Sequence, residues 1–137
     1  MAVDYGDART GLAVSDVSAT LAGEAWLLQS GSESKTAQSI VEEALKRGVS
    51  RIAVGYPKNM NGTAGPRAEK SERLVGLLRS LCDIEVVLWD ERLTTVSAHR
   101  ILTETGRFGK KRKKTVDALA ASLILENYLT FLNNGNI

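Results

Sequence analysis

The fold is decided by the opening stretch of the chain, residues 2–16, which reads AVDYGDARTGLAVSD. Two short runs of strand-forming residues, 2–6 and 9–16, are separated by a turn that contains Gly6. In the second run, apolar residues alternate with smaller ones, as in a strand with two distinct faces. The pattern predicts two neighbouring strands, and a third at 22–29 completes an antiparallel meander.

Strands and helices alternate after this meander. Apolar residues at helical spacing from Ala37 predict a helix that Gly48 ends, and a buried strand follows from Arg51 to Tyr56. A second helix begins at Pro66 and leads to a last strand from Ile84 to Trp89. Two further helices are predicted, one from Thr94 or Thr95 to about Thr105 and one from about Thr115 to Leu132. This alternation implies that the later strands pair in parallel through right-handed crossovers.

Composition narrows the class of protein. With 43% hydrophobic and 25% charged residues, the 137 residues are expected to form one globular domain, residues 1–137. No apolar run approaches the roughly 18 residues that span a bilayer, and no signal peptide precedes Asp4, so we expect a cytoplasmic protein that does not contact membranes. The lone Cys82 excludes an internal disulfide. One His and one Cys supply no zinc site, so any metal must be a hard cation held by oxygen.

Positive charge is concentrated in one segment of the chain. Of 18 Lys and Arg residues, six lie between Arg107 and Lys114, which leaves 12 basic against 16 acidic residues elsewhere. Such a patch is typical of a phosphate-binding surface, although a solvated loop would have the same composition. The neighbouring Asp117 favours the phosphate-binding interpretation.

Carboxylates are placed where an α/β sheet usually binds its ligands. Asp4 lies near the end of the first predicted strand and Glu91 just beyond the last, so parallel strands would bring both to one edge. Asp90 and Glu91 face opposite ways on an extended strand, and only one of them is expected to reach that edge. We prefer Glu91 for its longer side chain, with Asp90 as the alternative. Carboxylates beside concentrated positive charge suggest metal-assisted chemistry on a phosphate polymer.

The sequence resembles the YqgF/RuvX family in several blocks that follow one another in order across essentially the whole chain. These blocks are Asp4-Tyr5-Gly6, the stretch from Arg9 to Asp16, Gly55 to Thr63, Gly65 to Ala68, Trp89 to Thr95 and Lys111 to Asp117.

The resemblance implies an α/β fold of the ribonuclease H-like type. Its mixed five-stranded sheet has the order 3-2-1-4-5, a three-stranded antiparallel meander plus two parallel strands, flanked by helices. It also implies a bacterial cytoplasmic nuclease that matures the 5′ end of the 16S rRNA precursor in ribosome biogenesis, or a Holliday junction resolvase. By analogy with the fold, Asp4, Glu91 and Asp117 would be both the catalytic residues and the ligands of Mg²⁺ or Mn²⁺ in a two-metal site.

Substrate contacts are expected from basic and polar residues around this set. The partner would be nucleic acid, an rRNA precursor or branched DNA, and the protein would act as a monomer or weak homodimer. Arg67 follows Gly65-Pro66 in the first turn of a helix, where free N–H groups also favour an anion. The complete predicted set is Arg9, Asn59, Arg67, Arg92, Lys110, Lys111, Arg112, Lys113 and Lys114.

One distance bears on the proposed ligand set. Related resolvases carry an acid at the end of the fourth strand, where this chain has Gly55. If the fifth strand lies two places from the first, Asp4 and Glu91 are about 10 Å apart, because neighbouring strands are about 4.8 Å apart. A pair of ions spans that separation, whereas a single shared ion does not do so easily.

Two other functions stay open at this point. A non-catalytic nucleic-acid-binding module would use the basic segment, and its acidic residues would only shape the fold. A small nucleotide phosphatase is the third interpretation, because Asp4 and Gly6 followed by Gly11 resemble the first phosphate loop of actin-like ATPases. We rank it last, because we expect no second domain of that type to close over a nucleotide.

Overall fold

The computed structural model describes residues 1–15, 22–56, 65–90 and 110–135, with the backbone alone at 22, 110–118 and 134–135. The described strands are β1 (Ala2–Asp4), β2 (Arg9–Ser15), β3 (Ala22–Gln29), β4 (Arg51–Tyr56) and β5 (Glu85–Asp90). The described helices are α1 (Glu33–Lys46), α2 (Pro66–Leu81) and α3 (Lys110–Gly135). The helix predicted between Thr94 and Thr105 lies outside the described residues.

The five strands form one mixed sheet in the order β3-β2-β1-β4-β5. β3, β2 and β1 pair antiparallel, whereas β1, β4 and β5 run parallel. The predicted meander, strand order and parallel pairing are therefore confirmed. β5 lies two places from β1, which is the arrangement that the distance argument assumed.

The two faces of the sheet carry different cores because side chains alternate along each strand. One face packs against α1 and α2, and its strand residues are large: Val3, Leu12, Ile52, Val54 and Val86. The other face packs against α3, and the buried apolar residues that the central strands contribute to its core are all alanines: Ala2, Ala13 and Ala53. These alanines are hydrogen-bonded neighbours in one row, Ala13 and Ala53 on either side of Ala2. The row of small side chains lets α3 lie close to the middle of the sheet.

Two helices begin earlier than the hydrophobic periodicity predicted. α1 starts at Glu33, where the Ser32 side chain accepts a hydrogen bond from the Lys35 N–H and so caps the first turn. α3 starts at Lys110 rather than Thr115, so the basic residues 110–114 belong to its first turns and not to a loop. Lys and Arg have high helix propensity, which explains this extension. Neither α3 nor any other described helix is both long and apolar enough to cross a membrane.

Candidate active site

Asp4 occupies the edge of the sheet at which the parallel strands end. It is the last residue of β1, and it is half-buried. Asp4 pairs with Gly11 of β2, and Gly11 pairs with Leu27 of β3, so the three residues form one row across the sheet. Alternation from Ala2 places this row on the α3 face of the sheet. Gly11, which has no side chain, lines the same cleft as Asp4.

A cleft of about 290 Å³ opens at this edge and brings three of the predicted site residues together. Asp4, Arg9 and Arg67 all line it, although Arg67 comes from a distant helix. Among the described residues, the rest of the lining is small or apolar: Gly6, Ala8, Gly11 and Leu27. The cleft thus joins one carboxylate to two guanidinium groups, a combination suited to a metal ion beside a phosphate.

Arg67 reaches the cleft from the first turn of α2. The capping residue, Gly65, has no side chain with which to cap that turn, and the N–H groups of a helix's first turn favour an anion. The Arg67 side chain is exposed, and within the described part of the chain it makes no ion pair. A phosphate at this place would meet both a full positive charge and the positive end of the helix dipole.

The turn between β1 and β2 is compact, and glycine is required within it. A Cβ atom built on Gly6 would lie 2.4 Å from the carbonyl oxygen of Arg9, closer than such atoms approach in proteins. Ser30, just after β3, holds the turn from the side. Its hydroxyl donates to the Gly6 carbonyl at 2.8 Å, and its N–H donates to the Ala8 carbonyl at 3.0 Å.

An ion pair ties the same turn to α2. The Lys70 ammonium donates to the Asp7 carboxylate at 2.5 Å. This hydrogen bond lowers the pKa of Asp7 below its ordinary 3.8, with the charges of Lys70 and Arg67 acting in the same direction. Sequence reasoning missed both Ser30 and Lys70, because contacts between residues 24 and 63 positions apart leave no local pattern.

Asp90 lies on the opposite face of the sheet from Asp4. Along β5, Val86 packs with α1 and α2 while Trp89 packs with α3, so alternation assigns Asp90 to the side of Val86. Its neighbour in β4 is Tyr56, whose hydroxyl donates to Glu72 of α2 and confirms which face this is. That hydrogen bond to Glu72 raises the pKa of Tyr56. Asp90 does not line the cleft beside Asp4.

The other predicted ligands and contacts fall outside the described side chains. Glu91, Arg92 and Asn59 belong to ranges that are not described, and Asp117 and residues 110–114 are described as α3 backbone only. Within the described side chains, no three His, Cys, Asp or Glu residues come close enough to hold a metal ion. Asp4 is therefore the one predicted ligand seen at the cleft. Its half-buried oxygens fit a hydrated hard cation, for which the cleft has room.

The sequence matches the family model "RuvX: Holliday junction resolvase" over residues 1–131. A protein of Thermoanaerobacter pseudethanolicus is 44% identical over 135 residues, which cover 98% of this chain and 97% of that protein. A protein of Acetivibrio thermocellus is 44% identical over 138 residues, covering 94% and 93%. Both carry the description "Putative pre-16S rRNA nuclease".

Solved structures share the fold at low sequence identity. RuvC of Thermus thermophilus, in a structure with a Holliday junction substrate, superposes with a TM-score of 0.60 at 13% identity. The superposition covers 96% of this chain and 93% of RuvC, which confirms the predicted ribonuclease H-like fold. The match to the family model and the identity to full-length relatives show that this chain belongs to the RuvX family.

Proposed function

We propose that this chain is a metal-dependent nuclease that hydrolyses phosphodiester bonds in structured RNA, and that its substrate is the 5′ end of the 16S rRNA precursor. The observation that carries the proposal is the cleft at the carboxyl edge of the sheet, where Asp4, Arg9 and Arg67 meet. The names of the full-length relatives support the RNA substrate.

The chain's own residues account for binding and orientation of the substrate. Arg67 and the first turn of α2 bind a phosphate from one side of the cleft, and Arg9 binds the strand from the other. Gly11, which has no side chain, lines the cleft with Asp4, and the sugar–phosphate backbone is proposed to approach Asp4 there. Asp4 ends a strand that is paired on both sides, which fixes its backbone at the cleft.

Asp4 is proposed to hold Mg²⁺ or Mn²⁺ together with Glu91 and Asp117, in a site for two ions. When bound, such ions supply an activated water and neutralise charge on the leaving oxygen. Asp4 contributes oxygen ligands in a partly dry place, where a carboxylate attracts a cation more strongly than in water.

Glu91, rather than Asp90, is proposed as the ligand from the β5 end. Asp90 shares a face with Val86 and Tyr56, away from Asp4. The next residue in an extended chain projects to the other side, the side of Asp4. Asp90→Asn is therefore expected to keep most of the cleavage rate, whereas Glu91→Gln loses it. Equal loss in both variants would contradict this choice.

Residues 110–114 are proposed to bind the phosphate backbone of the substrate without reading its sequence. They form the start of α3, the helix that covers the Asp4 face of the sheet. We further propose that the whole chain, 1–137, is one nuclease domain that works in the cytoplasm as a monomer or weak homodimer.

The test is cleavage of a 16S rRNA precursor fragment by the purified protein with Mg²⁺ or Mn²⁺. Wild type is expected to cut at the 5′ end and Asp4→Asn to leave the fragment intact. Asp83→Asn is the matched control, because Asp83 is exposed in the turn before β5, at the other edge of the sheet. A precursor left intact by wild type with both metals would contradict nuclease function. Cleavage by Asp4→Asn at the wild-type rate would contradict the site.

Branched DNA is the second candidate substrate, because the description of the matching family model is a Holliday junction resolvase. A four-way DNA junction assayed beside the RNA decides between them. Preferential cutting of the junction over the rRNA precursor, at the same salt concentration, would transfer the proposal from RNA to DNA.

A further inference from the structure

Ser30 donates hydrogen bonds to two backbone carbonyl groups, those of Gly6 and Ala8, in the turn between Asp4 and Arg9. Its hydroxyl donates to the Gly6 oxygen at 2.8 Å and its N–H to the Ala8 oxygen at 3.0 Å. Ser30 belongs to neither β1 nor β2, so the turn is fastened from outside. No local sequence pattern links it to the cleft.

The direction of the hydrogen bonds in this network follows from counting protons. A carbonyl oxygen only accepts, so the single hydroxyl proton of Ser30 goes to Gly6. The Thr10 hydroxyl lies 2.8 Å from the Ser30 hydroxyl and must therefore be the donor between them. Thr10 is completely buried, so its hydroxyl cannot donate to solvent water instead. Thr10 thus fixes the orientation of the Ser30 hydroxyl.

Ser30 is itself anchored on the side away from the turn. The N–H of Gly31 donates to the Thr36 hydroxyl at 3.1 Å, and Ser32 caps α1. Thr36 is buried in the first turns of α1. The backbone next to Ser30 is thereby hydrogen-bonded to α1, which packs against the sheet, and this restricts the movement of Ser30.

We propose that Ser30, oriented by Thr10, is a positioning residue for the nuclease reaction. It touches neither metal nor substrate, and it acts by fixing the turn whose ends place Asp4 and Arg9 in the cleft. The turn is tight, with the Gly6 Cα facing the Arg9 carbonyl, so its ends move together when one carbonyl is released. The inference rests on the proposed function, because it assigns Asp4 the role of a metal ligand.

The experiment measures Mn²⁺ affinity by calorimetry, thermal unfolding, and kcat and KM for the RNA. Ser30→Ala is expected to lower Mn²⁺ affinity and kcat by about tenfold, the usual effect of removing a group that orients a ligand. KM should rise less than kcat falls, because Arg9 moves with the turn whereas Arg67, the other substrate contact, is untouched. Ser80→Ala is the control, since the Ser80 hydroxyl also donates to a backbone carbonyl, that of Leu77 at 2.7 Å, on an exposed part of α2.

A double variant separates positioning from simple stability. Ser30→Ala leaves the buried Thr10 hydroxyl without its acceptor, so it also lowers the melting temperature. Adding Thr10→Val removes that stranded hydroxyl and should restore much of the melting temperature, while Mn²⁺ affinity stays low because the Gly6 carbonyl is still released. Recovery of both quantities in the double variant would reduce Ser30 to an ordinary structural residue and overturn the inference.

The outcomes also separate this inference from the proposed function. If wild type binds Mn²⁺ and cuts RNA, and Ser30→Ala has the same Mn²⁺ affinity and cleavage rate, only the role of Ser30 is overturned. Wild type that neither binds Mn²⁺ nor cuts overturns the proposed function, and the role of Ser30 with it. Loss of affinity in Ser30→Ala but not in Ser80→Ala supports the inference.

Discussion

Replacing Gly6 by alanine tests whether the turn beside Asp4 is as tight as the structure requires. The new Cβ would lie 2.4 Å from the Arg9 carbonyl oxygen, and 3.0 Å is the closest approach such atoms show. The turn must therefore open by at least the difference, 0.6 Å. The obstacle is backbone rather than a flexible side chain, so no rotamer change relieves it.

The expected cost follows from that displacement. Opening the turn stretches the 2.8 Å bond from Ser30 to Gly6 and moves Arg9 along the cleft. Local strain of this kind costs about 1–3 kcal/mol. For a chain of this length, each kcal/mol lowers the melting temperature by roughly 4 °C. Mn²⁺ affinity should fall as well, by about tenfold, because Asp4 lies at the start of the same turn and moves with it.

Thermal unfolding and Mn²⁺ calorimetry of Gly6→Ala measure both effects. Gly76→Ala is the matched control, since a Cβ on Gly76 meets nothing within 4 Å and the residue is exposed on α2. That control should gain stability, by about 0.5–1 kcal/mol, because alanine favours a helix. A Gly6→Ala protein with the melting temperature and the Mn²⁺ affinity of wild type would refute the reasoning.

Three other changes have expected outcomes. Arg67→Gln should weaken RNA binding and reduce the slope of log K against log salt by about 1, because one phosphate contact is lost. An unchanged slope in binding titrations would show that Arg67 does not contact the RNA. Lys70 lowers the pKa of Asp7, so that pair stabilises the fold above the ordinary pKa of an aspartate and stops doing so as pH falls through the lowered value. Urea midpoints of Asp7→Asn should therefore lie below wild type at neutral pH and meet it in strong acid; a constant difference would contradict the assignment. Ile124→Ala should cost about 2–5 kcal/mol in urea unfolding, because Ile124 is 1% exposed between α3 and the sheet; a loss under 1 kcal/mol would contradict that packing.

The sheet could be predicted because its signals are local or carried by the family resemblance. The run from Arg51 to Tyr56 is apolar and bounded by turn residues, and the structure has β4 with those ends. Helix starts were less accurate for physical reasons. The cap at Ser32 lies outside the apolar repeat of α1, and the charged residues 110–114 have no apolar repeat to indicate the helix they belong to.

The site was only partly predictable. Asp4, Arg9 and Arg67 were chosen from motifs, and the structure brings them to one cleft. Ser30 was missed because its role depends on a side-chain bond to a backbone group 24 residues away. Side-chain alternation in the structure separates Asp90 from Asp4 by face, whereas the sequence alone left Asp90 and Glu91 as alternatives.

Convergence of three distant carboxylates on shared ions is tested most directly by titrating Mn²⁺ into isotopically labelled protein and following amide resonances. A bound paramagnetic ion broadens nearby amides, so signals next to Asp4, Glu91 and Asp117 should fade together at the same low Mn²⁺ concentration. Those of Ser50 and Asp83, at the other edge of the sheet, should stay sharp. In Asp4→Asn, broadening at all three places should vanish at once. Broadening that persists around Glu91 and Asp117 after that substitution, or that never reaches them in wild type, would contradict a common site.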